Sequence, residues 1–210
     1  QNLTDTARNE RSYNDQYRMA VYSFGAHATD LRLTQVAALS TNMNQVRNAT
    51  SALDLMTIPY QNYDNDQQTS FDNTIGALNA IMPKPGSGLA GAEPQKVLFF
   101  VSDGVGDSYK PNTCTKKTTG GRCQEPIDTK VCDAVKARGI SIAVLYTTYL
   151  PLPTNAWYNT WIKPFQSEIG ARMQACASPG LYFEVSPSQG ISEAMEALFK
   201  KAISKLRLSS

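Results

Sequence analysis

Two short stretches, VLFFV at residues 97–101 and ISIAVLY at 140–146, are apolar almost without interruption where a surface strand would alternate. Side chains on a strand point to opposite faces in turn, so an unbroken apolar run of this length is a strand buried on both faces. That environment arises when helices cover both sides of a parallel sheet. The rest of the chain supplies the helices. Met43, Val46, Ala49, Leu53 and Met56 fall at helical spacing across 41–56, with Thr41 as the expected cap. Residues 71–82 predict a helix ended by Pro83 and Pro85, and 128–137 another stopped by Gly139. Trp161, Phe165, Ile169, Met173 and Cys176 form one stripe, and Ile191, Met195, Leu198, Phe199, Ala202, Ile203 and Leu206 a second. In the last helix Glu193 and Glu196 precede Lys200, Lys201, Lys205 and Arg207, an order that suits the helix dipole.

The remaining elements are weaker. Residues 2–14 read as the tail of a helix, 17–24 as a strand ending at Gly25, Leu31 and Leu33 as a short edge strand, and 181–185 as an outer strand. A Pro/Gly-rich linker runs over 83–95, and a cysteine-bearing loop over 104–127. The expectation is a single α/β domain: three layers, α-β-α and Rossmann-like, around a mostly parallel sheet. At 210 residues the chain is long enough to bury such a core.

Charge narrows the partners. The 20 basic and 18 acidic residues are interspersed without a basic block, which argues against nucleic acid. Runs such as Val97–Val101 are far too short to cross a bilayer. The start has no signal peptide and Gln1 is not an initiator, so the chain reads as a portion of something longer. Four cysteines permit three pairings. Cys114 and Cys123 bracket a Gly-rich surface stretch, while Cys132 and Cys176 sit in helical segments beside apolar stripes. The expected pairing is Cys114 with Cys123 and Cys132 with Cys176, which implies an oxidising compartment; four reduced thiols, two of them buried, are the competing reading.

Ligands of open α/β sheets bind beyond the carboxyl ends of the strands. After VLFFV come Ser102, Asp103 and Gly104, with Asp107 close behind. Thr69 lies just before the helix that precedes this strand, so its hydroxyl is expected at the same edge as the Asp103 carboxylate. Two hard oxygen donors suit a divalent ion, Mg2+ or else Mn2+ or Ca2+. A plain turn at Asp103 and a helix cap at Thr69 or Ser70 are the structural readings of the same residues.

These residues carry a resemblance. KVLFFVSDG resembles the fourth strand of the von Willebrand factor A fold, and QTSFDNTIGAL is similar to that family's threonine loop and following helix. YRMAVYSFG and ARGISIAVLY resemble its second and fifth strands. From Cys132 onward the text looks like the carboxyl-terminal part of TadG-type pilus-assembly proteins. The resemblance implies a protein-binding module of the cell envelope, periplasmic or at the surface, in tight-adherence (Flp) pilus assembly. It also implies a membrane anchor upstream and no enzymatic activity. It implies a metal ion-dependent adhesion site in which Thr69 and Asp103 fill two positions. The third element, an Asp-x-Ser-x-Ser loop after a central first strand, occurs nowhere in the chain. Removing a central strand leaves ladder groups on both neighbours without partners, so upstream polypeptide is expected to supply it.

Other features are decoys. Gly86, Gly88 and Gly91 match a dinucleotide fingerprint but follow a helix and precede a strand, the reverse of what phosphate binding needs. His27 has no triad partners, and Asp64 and Asp66 sit in a polar loop near Thr69. In the Pro- and aromatic-rich segment 147–161, Tyr149, Trp157 and Tyr158 are candidate contacts for a protein partner; the competing expectation is that these rings fold back over the sheet end. Two rival functions remain: a structural scaffold with a vestigial metal site, and a hydrolase using Asp103 and Asp107.

Overall fold

The computed structural model describes residues 2–25, 32–54, 58–60, 63, 68–88, 93–110, 112–116, 118–186 and 190–208. His27, Leu31, Met56, Asp64, Asp66 and Gly91 lie outside them. Of the two apolar runs, that of 140–146 is buried almost throughout, whereas in 97–101 Leu98 and Phe100 are buried, Val97 and Phe99 partly so, and Val101 is exposed. β4 (Val97–Ser102) and β7 (Ser141–Thr147) pair in parallel from Val97 opposite Ser141 to Ser102 opposite Tyr146. β8 (Tyr182–Val185) adds in parallel on the far side of β7. Even-numbered β4 residues Leu98 and Phe100 enter the largest core, with α3 (Phe71–Ile81), α4 (Thr129–Lys136) and α5 (Gln166–Cys176). On the opposite face, Val97 and Phe99 pack with α6 (Ile191–Leu208). Helices therefore cover both faces.

The sheet is not one mostly parallel sheet, and that expectation needs correcting. β1 (Met19–Ser23) and β2 (Thr34–Ser40) form a separate antiparallel pair. β3 (Gln68–Thr69), β5 (Val105–Tyr109) and β6 (Arg122–Pro126) form a third, antiparallel sheet. The stretch expected as a cysteine-bearing loop is thus mainly a hairpin of β5 and β6. Its tip holds Gly120 and Gly121, both with positive φ.

Helix ends follow local chemistry. α1 (Asn2–Glu10) packs its Ala7 against Phe199 and Ile203 of α6. α2 (Met43–Ser51) is capped by Asn42, not Thr41, because the Asn42 side chain accepts the Gln45 N–H. α3 is capped by Ser70 and α4 by Asp128. The stripe read through Trp161 is out of phase. A π-helical turn (Tyr158–Ile162) and a 3-10 turn (Lys163–Phe165) carrying Pro164 precede α5, and they bury Ile162 where regular spacing would bury Trp161. No described helix is long and apolar enough to cross a membrane.

Both disulfides have the expected pairing: Cys114–Cys123 and Cys132–Cys176. The first closes the hairpin loop; the second ties α4 to the end of α5 inside the core. Such bonds persist in an oxidising compartment.

Candidate functional site: the rim beyond β4 and β7

At the end of β4 the chain turns through Asp103 and Gly104 into β5. Gly104 adopts φ +77°, and the Ser102 hydroxyl and Asp103 carboxylate accept the N–H groups of Gly104 (3.1 Å) and Val105 (3.2 Å). The first bond tightens the turn, and the second fixes where the Asp103 carboxyl stands. The residue is exposed at the rim, yet burial of its carboxyl by surrounding protein still raises its pKa, against hydrogen bonds from the Val105 N–H and its own backbone N–H that lower it. Its charge in turn acts on its neighbours: burial first, then the Asp103 carboxylate, raises the Tyr149 phenol. Asp103 and Tyr149 thus share the carboxyl end of the parallel sheet.

Thr69 sits opposite Asp107 in the β3–β5 ladder, one strand over from the segment that Asp103 leads into. Thr69 thus faces β5 at Asp107 and not at the turn that holds Asp103, and the surroundings of the two residues differ. Thr69 lines a cavity of about 10 Å³ together with Asp72, Lys110 and Glu125, and Asp103 is not among its walls. Lys110 Nζ is bracketed there by Asp72 (2.7 Å) and Glu125 (2.6 Å). Ser70, not Thr69, caps α3.

The chemistry of this donor set fits magnesium only in part. Magnesium asks for near-octahedral oxygen ligation and keeps several waters, and Thr69 and Asp103 supply two positions at most. Asp107 adds nothing, since Arg122 Nε (2.8 Å) and Gln124 Nε2 (2.8 Å) already engage its two oxygens. The same bonds remove Asp107 as a free general base. Among the described residues, the one cluster of three metal-capable side chains is Cys114, Cys123 and Glu125, and its two sulfurs are consumed by the disulfide.

Beside the rim runs an open groove of about 670 Å³, walled by Tyr63, Tyr149, Trp157 and Tyr158 with Arg122, Gln124 and Asn155. The three candidate contact rings divide. Tyr158 is 4% exposed, stacks on Tyr149 at 6.4 Å and donates its hydroxyl to Gln166, so it is a wall of the fold and not an exposed anchor. Tyr149 is half-buried against the core. Trp157 is 37% exposed, with its indole N–H on Gln124 (2.6 Å) and the Arg122 guanidinium 5.3 Å over its ring. The folding-back of rings thus describes Tyr149 and Tyr158, and Trp157 stays the most exposed of the three.

Arg122, Gln124, Lys110 and Glu125 were not singled out in the sequence. The signal was the Gly120-Gly121 pair flanked by cysteines, which marks a hairpin turn and hence two strands whose alternate residues face the rim.

Glu125 makes an acid-sensitive brace. Burial opposes its ionisation, but hydrogen bonds from Lys110 and Thr115 outweigh this and hold its pKa below the usual 4.5. A lowered folded-state pKa contributes stability above the unfolded value, and this is lost as pH falls through the folded value. Asp103 runs the other way, its raised pKa giving a contribution present below 3.8 and lost as pH rises. Urea titrations from pH 7 to pH 3 are expected to show stability falling below about pH 4.5. Glu125→Gln should flatten that fall, and Asp103→Asn should instead gain stability at neutral pH. A Glu125→Gln variant with the parent's acid limb would contradict this assignment.

No protein-family model matches the sequence, and no curated protein matches it. Among solved structures, the fold is similar to that of a pilus adhesin, SpaC from Lactobacillus rhamnosus GG, with a TM-score of 0.55 and 13% sequence identity. The similarity covers 98% of this chain and 26% of the adhesin, so the chain spans about a quarter of that protein's length. At this identity the likeness is one of fold, and the fold it establishes is a mixed α/β domain shared with part of a pilus adhesin.

Proposed function

We propose that the chain is a von Willebrand factor A-type domain of a TadG-like protein, acting as an extracytoplasmic protein-binding module in tight-adherence pilus assembly or envelope attachment. The observation that carries this reading is the rim: an aspartate directly after a parallel strand, a threonine on the strand beside its continuation, and an aromatic groove whose Tyr149 feels the Asp103 charge. Its location would be the periplasm or the cell surface, in keeping with two disulfides. The partner is a pilus or envelope protein, and Trp157 is the ring best exposed to meet it. Binding is favoured over catalysis because Asp107, the acid-base candidate of the rival reading, is engaged by Arg122 and Gln124.

Thr69 and Asp103 would hold the ion, Mg2+ or a similar cation, once the Asp-x-Ser-x-Ser loop is supplied. The ion would attract an acidic group of the partner. A ligand that binds only the native state raises the melting temperature. Magnesium or manganese is expected to leave the 210-residue chain's melting temperature unchanged. A version extended by a strand bearing Asp-x-Ser-x-Ser should gain several degrees, and Asp103→Ala should abolish the gain. No response in the extended protein would remove the metal from the proposal. Unchanged binding to a pilus-subunit preparation by a Thr69→Ala, Asp103→Ala variant would favour the scaffold reading.

A further inference from the structure

The two disulfides stand in different surroundings. Cys132 and Cys176 are both 0% exposed and belong to the largest core. Cys123 is 1% exposed and Cys114 is 9% exposed, the latter between exposed Thr113 and Thr115. Reduction of a disulfide starts when a thiolate reaches one of its sulfurs, so access decides which bond opens first. Cys114 is the most accessible of the four cysteines.

The loop that this bond closes also carries one wall of the groove. Thr119, Gly120 and Arg122 lie between Cys114 and Cys123, and they line the groove of about 670 Å³ together with Tyr149, Trp157 and Tyr158. Gln124, next to Cys123, accepts the Trp157 indole N–H at 2.6 Å, so the hairpin and the aromatic segment meet at this point. Gly120 and Gly121, at φ +61° and +82°, give the tip a backbone that side chains do little to restrain. The tip's tie to α5, Lys116 with Glu168 at 3.1 Å, joins two partly exposed side chains and holds weakly. Below the tip, β5 and β6 stay paired by their own ladder from Val105 opposite Pro126 to Tyr109 opposite Arg122. Loss of the covalent bond therefore leaves the strands together and loosens the tip.

We infer that the Cys114–Cys123 bond is a redox-sensitive latch on this wall of the groove, opened by a dithiol while the Cys132–Cys176 bond stays closed. In the opening reaction a thiolate of the dithiol attacks Cys114 Sγ. The sulfur–sulfur bond breaks, and Cys123 Sγ leaves with the electron pair and takes up a proton. The second thiol of the reductant then attacks the mixed disulfide and releases Cys114. Two electrons have passed from the dithiol, now a cyclic or linear disulfide, to two cysteines that end as thiols. A small disulfide such as oxidised glutathione runs the exchange backwards and restores the wall. What the groove serves rests on the binding reading above; the latch itself is defined by the hairpin and its sulfurs.

The test uses the native 210-residue chain. Brief treatment with dithiothreitol, then iodoacetamide and peptide mass mapping, is expected to label Cys114 and Cys123 at least about tenfold faster than Cys132 and Cys176. In the reduced chain, kept free of oxygen and not alkylated, amide hydrogen exchange over residues 118–122 should speed up by about tenfold. The Trp157 indole N–H resonance should shift with it, while the β4 and β7 amides keep their protection. Oxidised glutathione should reverse both changes. A Cys114→Ser, Cys123→Ser variant should show the fast exchange with or without dithiothreitol, which separates opening of this bond from any effect of the reductant elsewhere. None of these readouts contains a partner, so they stand apart from the binding reading. Equal labelling of the two cysteine pairs would overturn the latch. So would a tip whose exchange and Trp157 resonance stay unchanged once the bond is open.

Discussion

Replacing Cys132 and Cys176 together by alanine is expected to lower the melting temperature by about 8–16 °C, the largest loss from any disulfide change here. The two cysteines are 44 residues apart in sequence, and both are fully buried, joining α4 to the last residue of α5. Closing a loop of that length removes unfolded-state entropy worth about 4 kcal/mol on the chain-entropy account. For a domain of this size each kcal/mol moves the midpoint by about 2–4 °C. The Cys114–Cys123 bond spans 9 residues, so the same account gives about 3 kcal/mol for the corresponding double alanine variant. The hairpin it closes has other ties that persist: Glu125 accepts the Thr115 N–H at 2.9 Å, and Thr118 donates its hydroxyl to the Arg122 carbonyl at 2.8 Å. The order is therefore the discriminating result. Differential scanning calorimetry of the two double variants, unreduced, should rank the helix-to-helix bond above the hairpin bond; the reverse order would mean that α4 and α5 stay docked without their covalent tie.

What could be read from the residues, and what could not, divides along physical lines. ISIAVLY announced β7 because burial on both faces leaves an unbroken apolar run, and VLFFV announced β4 as a strand although only Leu98 and Phe100 of it are fully covered. The α3 and α4 boundaries were legible through Pro83 and Gly139, residues that act locally. The separation of the β1–β2 pair was not legible, since its strands carry ordinary β-prone residues whichever sheet they join. Trp161 misled because the π-helical and 3-10 turns at Tyr158–Phe165 shift the phase by local geometry that spacing does not encode. At the candidate site, the position of Asp103 at the carboxyl end of β4 was legible from the apolar run before it. The fate of Asp107 was not, because its partners Arg122 and Gln124 arrive from a strand 15 and 17 residues away that reads as a loop. The aromatic segment shows the same limit. Tyr149, Trp157 and Tyr158 are equally plausible contacts in one dimension, and only the path of the chain decides which ring stays most exposed.

Gly104→Ala should destabilise the protein by about 2–5 kcal/mol through two separable effects, and the pair of them makes the turn after Asp103 the least substitutable point of the rim. The first is backbone. At φ +77° an L side chain meets its own carbonyl, at roughly 1–2 kcal/mol. The second is packing. A Cβ at this position would stand 2.5 Å from Ile169 Cγ2 and 2.9 Å from Met173 Cγ, both on α5 and both fully buried. Overpacking of that kind typically adds about 1–3 kcal/mol, since α5 is held by the disulfide at its end and cannot easily withdraw. Gly120→Ala isolates the first effect: φ is +61° there, and nothing lies within 4 Å of the added carbon. Its expected loss is only about 1–2 kcal/mol. Urea midpoints of the two variants measure the difference, which should favour Gly120→Ala by more than the backbone contribution alone. Because the Ser102 and Asp103 side chains hold this turn through the Gly104 and Val105 N–H groups, the same substitution also displaces the Asp103 carboxyl. Gly104→Ala in the strand-extended protein should therefore lose its response to magnesium at temperatures where it is still folded, which Gly120→Ala should retain. Equal urea midpoints for the two glycines would mean that α5 does not press on the turn, and that the position of Asp103 is set by the backbone alone.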